Sequence, residues 1–211
     1  LGVGGKVEGD SLRCPFHGWR FAGTGECVEI PYASRKPASA RAFAYPVRES
    51  GGVVWAWYHP KRSAPSFEPP EIPEFGAEDW MADWTPYEWT VRTHPQEVAE
   101  NSVDWPHFHE IHHMEPPPDR DVRFEGHEIR WHAATTKNVS TLEGAADSIR
   151  VVGRNPGLGC SYVRYSWLGD SVIVMGMTPI DDETMHMRFG VLDRRHPHDD
   201  QDRKSTRLNS S

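Results

Sequence analysis

The chain has 211 residues, and 23 Lys and Arg against 31 Asp and Glu give it a formal net charge of −8. The length allows one large domain or two small ones, and the acidic balance argues against a nucleic-acid-binding surface, which needs clustered cations. Three widely spaced cysteines do not make a disulfide framework, and no apolar run approaches the roughly 18 residues of a membrane span. We therefore predict a cytoplasmic protein.

Residues 1–60 have the pattern of an all-β domain. Tight glycine turns recur through the segment, the last of them at Gly51-Gly52. Residues 53–58 then combine β-branched and aromatic side chains, as strands do. A Pro-rich stretch begins at His59-Pro60 and is typical of a connection between domains. We predict that this linker covers residues 61–79.

Residues 80–198 are predicted to form a second domain, in which a helix is followed by an antiparallel meander. The helix covers residues 96–113 and ends before a run of three prolines, which cannot continue a helix. Strands are predicted at residues 87–91, 122–131, 148–152, 160–167, 171–178 and 185–192, with turns at 155–157 and 180–182. This order indicates an α+β fold. The polar tail, residues 199–211, lacks periodicity and is predicted to be disordered and non-native.

The first candidate metal site is Cys14-Pro15-Phe16-His17. A Cys-x-x-His sequence on a tight loop can present one thiolate and one imidazole to a metal. Such a pair is compatible with half of a zinc site and with half of a Rieske [2Fe–2S] centre, in which one iron takes two Cys and the other two His. The residues alone leave both possibilities open. Cys27 and Cys160 have no partner spacing and are expected to be ordinary thiols.

The second candidate site lies on the predicted helix, where one face carries Asn101, Asp104, His107 and His112. At about 100° per residue, these side chains fall within an arc of about 140°. Two imidazoles and one carboxylate, with coordination positions left open, form the facial triad of non-haem Fe(II) oxygenases. Pro106 is expected to bend the helix, which would help the two histidines converge on one ion.

The same helix contains a competing pattern. His109-Glu110-Ile111-His112-His113 matches the His-Glu-x-x-His sequence of zinc proteases, with His109 and His113 as ligands and Glu110 as the base. A zinc metallohydrolase, however, gives no reason for the Cys-x-x-His loop upstream. A further alternative is a helix without metal, in a module that binds a hydrophobic ligand.

Taken together, the two motifs resemble those of Rieske non-haem iron oxygenases. Cys14-Pro15-Phe16-His17-Gly18-Trp19, followed by Arg20-Phe21, a glycine turn and Cys27-Val28-Glu29-Ile30-Pro31-Tyr32, is similar to the second cluster-binding loop of that family. The Asn-x-x-Asp-x-x-His-x-x-x-x-His pattern at residues 101–112 is similar to its mononuclear-iron helix. The resemblance extends over residues 1–195 and favours the steroid branch, which contains the 3-ketosteroid 9α-hydroxylases and the cholesterol 7-desaturases.

For the cluster, the resemblance implies that Cys14 and His17 are ligands together with a Cys-x-His pair from a preceding loop. We predict that this pair lies just before Leu1. The chain as it stands would then be truncated at both ends, would supply half of the cluster ligands, and would be inactive by itself.

For the mononuclear iron, the resemblance implies that His107 and His112 are ligands. It implies that Asp104 receives an electron from a Rieske histidine of the neighbouring subunit, and that Asn101 lies beside the iron. The third ligand would be a later Asp, which we predict to lie beyond this chain. The candidates within the chain are Asp181, Asp182 and Asp193.

The implied fold is an incomplete all-β Rieske domain followed by a helix-grip catalytic domain, START- or Bet v1-like, with an antiparallel sheet. The implied function is that of the oxygenase component of a monooxygenase or dioxygenase system. Such a system uses O₂ and electrons from NAD(P)H to hydroxylate or desaturate an apolar, steroid-like or aromatic substrate. A ferredoxin or a flavin/iron–sulfur reductase would donate the electrons. A homotrimer is expected because electrons cross between subunits in this family.

Overall fold

A computed structural model of the chain describes residues 1–111, 117–136, 148–166 and 169–195. The chain divides into two compact units, one formed by Leu1–Val47 with Ala56–Pro65 and the other by Arg48–Trp55 with Ser66–Ser211. The predicted tail, residues 199–211, and the predicted site residues His112 and His113 lie outside the described residues. Among the described residues, no helix has the length and apolarity that crossing a membrane requires.

The first unit is built on a small antiparallel sheet of four short strands in chain order. These are β1 (Lys6–Glu8), β2 (Ser11–Arg13), β3 (Arg20–Ala22) and β4 (Cys27–Glu29). Three-residue strands bury little apolar surface, so ion pairs between the strands contribute to the stability of this sheet. Arg20 Nη1 donates to Glu29 Oε2 at 2.9 Å, and Arg13 Nε donates to Glu8 Oε1 at 2.8 Å. The predicted all-β character of this region is confirmed.

The second unit contains a seven-stranded antiparallel sheet in the order β7-β13-β12-β11-β10-β9-β8. Its strands are β7 (Thr85–Val91), β8 (Asp119–Glu125), β9 (Glu128–Thr136), β10 (Ser148–Gly157), β11 (Cys160–Ser166), β12 (Asp170–Pro179) and β13 (Met185–Asp193). A separate hairpin pairs β5 (Val47–Ser50) with β6 (Val53–Ala56), and two short helices, α1 (Pro95–Asn101) and α2 (Pro106–Glu110), follow β7. The predicted α+β class with an antiparallel meander is confirmed.

Strand β12 shows why this sheet is covered on both faces. Successive side chains of a strand point to opposite faces, and β12 is apolar on both. Val172 and Val174 belong to a core with Ile72, Trp80 and Leu192. Ile173 and Met175, which alternate with them, pack against a second core, whose buried members are Trp131, Ile149, Val151 and Val163.

The segment that precedes β7 is part of the second unit's core. Gly51 and Gly52 have φ of +59° and +72°, so both positions favour glycine. Because glycine lacks Cβ there, Ile72 and Phe75 pack directly on the hairpin turn. Residues from the predicted linker therefore form tertiary contacts, and the domain limits 1–60, 61–79 and 80–198 remain predictions.

Glu74, from the same segment, is a buried carboxylate with 4% exposure. Its Oε1 accepts hydrogen bonds from Tyr162 Oη at 2.9 Å and from Arg164 Nη1 at 3.1 Å. Burial and the bond to Glu74 raise the pKa of Tyr162, so the phenol remains a protonated donor. Arg164 also contacts Asp170 at 3.3 Å and thereby links Glu74 to the edge of β12.

Three local predictions were wrong. Residues 96–113 do not form one helix, because Pro106 has no N–H to donate and begins a new helix instead. Residues 122–131 form parts of two strands, which turn at Gly126 with φ of +63°. Residues 155–157, predicted as a turn, form the end of β10, where the register with β11 shifts between Arg154 and Gly157.

Gly153, in the centre of β10, provides a test of this packing. A Cβ added there would overlap the buried indole ring of Trp131 on the paired strand β9. We expect Gly153→Ala to lower the free energy of unfolding by about 1–3 kcal/mol, the usual cost of overpacking a core. Gly169→Ala is the matched control, because a Cβ there meets none of the described residues within 4 Å. Urea denaturation of both variants measures the difference; equal stabilities would contradict the close contact.

Candidate metal-binding sites

The loop between β2 and β3 places Cys14 and His17 on a tight turn. The Cys14 N–H donates to Trp19 O at 2.7 Å, and the Gly18 N–H donates to Cys14 O at 3.0 Å. Gly18 has φ of +72°, and a Cβ at that position would lie 3.2 Å from Pro31 Cγ. The loop therefore depends on glycine both for its backbone conformation and for its contact with the chain after β4.

The environment of Cys14 favours an anionic sulfur. Backbone N–H groups of Phe16, and more weakly of His17, point at the thiol and lower its pKa. The His17 ring contacts the Phe16 ring at a centroid distance of 4.0 Å and lies 6.5 Å from the Tyr32 ring. Trp19 Nε1 donates to Tyr32 Oη at 2.6 Å and so holds Tyr32 beside the loop. One cysteine with a lowered pKa and one exposed imidazole are thus presented on the same turn.

The second candidate site lies where α1 ends and α2 begins. His94 caps α1 by accepting the Gln96 N–H at Nδ1, and Pro95 occupies the first turn, where its missing N–H costs nothing. The chain then turns through residues 102–105. N–H groups of Ser102, Val103 and Asp104 are satisfied by carbonyl oxygens three residues earlier, at 3.1–3.4 Å.

Asp104 and His107 are brought together by this turn. His107 Nδ1 contacts the main-chain oxygen of Asp104 and lies 3.9 Å from its carboxylate Oδ2. The His107 side chain is 10% exposed, whereas the Asp104 side chain is 53% exposed. A main-chain carbonyl bound to one ring nitrogen fixes the tautomer and the ring orientation, which is the usual support of a metal-binding histidine. Because Nδ1 is engaged by this carbonyl, His107 would bind a metal through Nε2.

The remaining predicted site residues are placed differently. Asn101 is exposed at the last position of α1, in the turn of chain before Asp104. Asp181 Oδ1 accepts the Glu183 N–H at 3.0 Å within the predicted turn, and Asp193 Oδ1 accepts from Ser171 Oγ at 2.6 Å. Within the described ranges, no three His, Cys, Asp or Glu side chains are close enough to hold a metal ion.

The alternative zinc site has little support from the described residues. His109 Nδ1 lies 3.0 Å from Glu110 Oε1, and both side chains are exposed, at 57% and 78%. Helix α2 ends at Glu110, so the described helix does not extend to position 113. A buried histidine-rich helix face of the zinc-protease kind is therefore not seen in this part of the chain.

An apolar wall beside the second site was missed by the sequence analysis. Val103 and Trp105 pack against the core of Trp131 and Val151. Trp105 and Trp131 rings meet edge to face at 6.2 Å. The sequence signal for it is the alternation of apolar residues in β9 and β10, at Ile129 and Trp131 and at Ile149 and Val151. This wall places the turn that carries Asp104 against the apolar face of the sheet.

The donor atoms of the described site residues fit a [2Fe–2S] cluster at the first site and an Fe(II) ion at the second. A cysteine whose pKa is lowered by two N–H groups, beside an exposed imidazole, suits one half of a [2Fe–2S] centre. A largely buried imidazole fixed through Nδ1, with a carboxylate beside it, suits one ligand of an Fe(II) site.

Comparison with known proteins identifies the two domains that carry these candidate sites. Residues 1–48 match the Rieske [2Fe–2S] domain model, and residues 56–210 match the 3-ketosteroid 9α-hydroxylase C-terminal domain model. The chain is 30% identical over 200 residues to the oxygenase component of a 3-ketosteroid 9α-monooxygenase from Rhodococcus rhodochrous, covering 89% of this chain and 52% of that protein.

Two further relatives extend the comparison. A cholesterol 7-desaturase from Xenopus laevis is 31% identical over 208 residues, covering 86% of this chain and 45% of that protein. The crystal structure of dicamba monooxygenase bound to dicamba has the same fold, with a TM-score of 0.65 at 21% identity, covering 90% of this chain and 61% of that one. The chain thus spans about half the length of the two curated relatives.

Proposed function

Because the chain belongs to the Rieske oxygenases that carry a 3-ketosteroid 9α-hydroxylase C-terminal domain, we propose that it is part of the oxygenase component of a multicomponent system. That component uses O₂ and NAD(P)H-derived electrons to hydroxylate or desaturate an apolar substrate. The observation that carries the proposal is the presence of two supported half-sites on one chain. Cys14 and His17 lie on one turn, and Asp104 and His107 lie on another.

Each half-site has a separate task in this proposal. Cys14 and His17 would hold one side of a [2Fe–2S] cluster, and His107, with His112 and a later carboxylate, would hold an Fe(II) ion. When bound, these two groups supply one-electron relay and O₂ activation. The chain's own residues orient the donors: the amides at Phe16 and His17 hold the sulfur, and the Asp104 carbonyl holds the His107 ring.

Asp104 is proposed as the residue through which an electron reaches the iron site. Its carboxylate is more than half exposed, while the His107 ring beside it is nearly covered. The Asp104 carboxylate can therefore contact a donor histidine of another subunit on its exposed side and His107 on its other side. This role requires association of subunits, and we propose a homotrimer. Asn101, on the last turn of α1, is proposed to lie beside the iron.

The proposed substrate is a steroid or another apolar ring compound. The support for this substrate class comes from the relatives, which are named for a 3-ketosteroid and for cholesterol. The turn that carries Asp104 packs on an apolar core that includes Trp131 and Val151. Both hydroxylating and desaturating relatives share the chain's pattern. A ferredoxin or a flavin/iron–sulfur reductase is proposed as the electron donor, and the cytoplasm as the location.

Metal and sulfide analysis of a version extended by its flanking coding sequence tests the proposal. We expect a brown protein with about two iron atoms and two labile sulfides per cluster, plus about one further iron per chain. A zinc metallohydrolase would be colourless with one zinc, and a metal-free binding module would contain neither metal nor sulfide. Absence of labile sulfide from a folded, freshly purified extended protein would contradict the proposal.

A further inference from the structure

Two buried polar side chains beneath the α1–α2 turn belong to neither half-site. Asn155 is 4% exposed and Ser161 is 1% exposed. Within the described part of the chain, neither Asn155 Oδ1 nor Ser161 Oγ has a hydrogen-bond partner. Buried polar atoms in proteins are almost always bonded to protein or to ordered water, so these two oxygens need an explanation.

The two residues lie on neighbouring strands at an irregularity in the sheet. Arg154 pairs with Tyr162, and Gly157 pairs with Cys160, so Asn155 and Pro156 together oppose the single residue Ser161. A bulge of this kind opens the ladder locally and redirects a side chain. It gives a small polar site in an otherwise apolar core, with an amide on β10 and a hydroxyl on β11.

Asn155 also connects this site to the α1–α2 turn. Its Nδ2 donates to Ser102 Oγ at 3.3 Å, and Ser102 Oγ in turn donates to the Val98 carbonyl oxygen at 3.1 Å. Ser102 is the C-cap of α1 and the first residue of the turn that leads to Asp104. The amide of Asn155 thereby holds the end of α1 against the sheet.

We propose that Asn155 and Ser161 form an internal hydration site whose water, bound between Oδ1 and Oγ, fixes the Asn155 amide and so positions the turn that carries Asn101 and Asp104. An internal water needs two to four polar partners, and this site offers two oxygens within an apolar surround. With the water in place, the Asn155 amide is held at both ends, by the water on Oδ1 and by Ser102 on Nδ2. Asn155 is then a positioning residue.

The consequence for catalysis rests on the proposed function, but the site itself does not. A crystal structure of the metal-loaded, full-length protein at a resolution that shows ordered water tests it directly. We expect one water within hydrogen-bond distance of both Asn155 Oδ1 and Ser161 Oγ. Density showing both oxygens bonded to protein groups, or a dry site, would overturn the hydration site whether or not the protein is an oxygenase.

Hydrogen exchange tests the positioning role without using activity. In Asn155→Ala the amides of Ser102, Val103 and Asp104 lose their anchor, and we expect them to exchange about five- to tenfold faster while amides of β12 and β13 are unchanged. Ser161→Ala removes one hydroxyl, a change expected to leave the fold intact, and should accelerate the same amides by about threefold. This second variant keeps the test decisive if Asn155→Ala does not fold.

Ser171→Ala is the matched control, since it removes a hydroxyl from the same sheet that bonds only to Asp193 among the described contacts. It should leave exchange at residues 102–104 at the wild-type rate. Unchanged exchange in Ser161→Ala, or an equal acceleration in Ser171→Ala, would overturn the positioning role.

In an active preparation, Ser161→Ala should also raise the share of NAD(P)H consumed without product, whereas a general loss of stability would lower consumption and product together.

Discussion

Asp104→Ala in the full-length protein is expected to stop electron delivery to the iron site while leaving both metal sites occupied. Product formation should fall by about 100-fold, the upper end of what the loss of one supporting group costs at a metal site. Iron retention is expected because the contact that orients His107 comes from the main-chain oxygen of residue 104, which alanine keeps. The lost group is the carboxylate, which lies 3.9 Å from His107 Nδ1.

The measurement is single-turnover reduction followed by metal analysis. The [2Fe–2S] cluster should become reduced at the normal rate in Asp104→Ala and then remain reduced in the presence of substrate and O₂. Re-oxidation at the wild-type rate, or loss of the mononuclear iron together with normal electron transfer, would refute the proposed role of this carboxylate.

Glu110→Ala is the matched control for that experiment. Glu110 is an exposed carboxylate on the same short helix as His107, and its side chain is 78% exposed. The oxygenase proposal expects almost full activity from this variant, because Glu110 contacts only His109 among the described residues. A zinc hydrolase would need Glu110 as its base, so a large loss of activity in Glu110→Ala alone would favour that alternative.

The strands were predictable from two patterns: apolar residues alternate with others in β13, and they form a continuous run at residues 172–175 in β12, as expected for a strand buried on both faces. Residues 171–178 and 185–192 were predicted within two residues of the observed β12 and β13. The hairpin at Gly126 was missed although the sequence carries a signal for it. The apolar residues change phase there, from Val122 and Phe124 to Ile129 and Trp131. Gly126, with a positive φ, lies between the two phases.

The helix prediction was wrong for a reason that local chemistry supplies. A regular helix over residues 96–113 would place the candidate ligands on one face, but Pro106 is better suited to the first turn of a new helix. The observed break brings Asp104 beside His107 through the main chain of a turn. The sequence predicted Asp104 and His107 on one face of a regular helix, whereas a turn brings them together; their roles at a metal site remain predictions.

The buried polar site was beyond the reach of sequence analysis. Asn155-Pro156-Gly157 has the composition of an exposed turn, and turn residues are normally solvated. The structure instead continues β10 through these residues and shifts the register there, so Asn155 becomes one of the most buried polar residues described. Pairing with β9 overrides this local preference, because Asn155 pairs with Ile129, which lies far from it in sequence.

The cysteines give the second large expected effect, and it can be measured on the metal-free chain. Backbone N–H groups at Phe16 and His17 lower the pKa of Cys14, whereas burial raises the pKa of Cys160 to about 11. Since the thiolate is the reactive form, iodoacetamide at neutral pH should label Cys14 at least about 100-fold faster than Cys160, for a pKa difference of about two units or more. Mass spectrometry of timed samples measures both rates.

The pH dependence of the labelling rate shows whether the pKa of each cysteine is lowered or raised. The rate at Cys14 should rise about tenfold per pH unit and level off below the pKa of an ordinary cysteine, while the rate at Cys160 should still be rising at pH 10. Cys14→Ser should remove the fast phase, and Cys160→Ser should leave it.

Because a cluster ligand is already engaged as a thiolate, cluster-loaded full-length protein should protect Cys14 until the cluster is removed. Fast labelling of Cys14 in protein with a full complement of labile sulfide would show that this cysteine is not a ligand, even if the protein is an oxygenase.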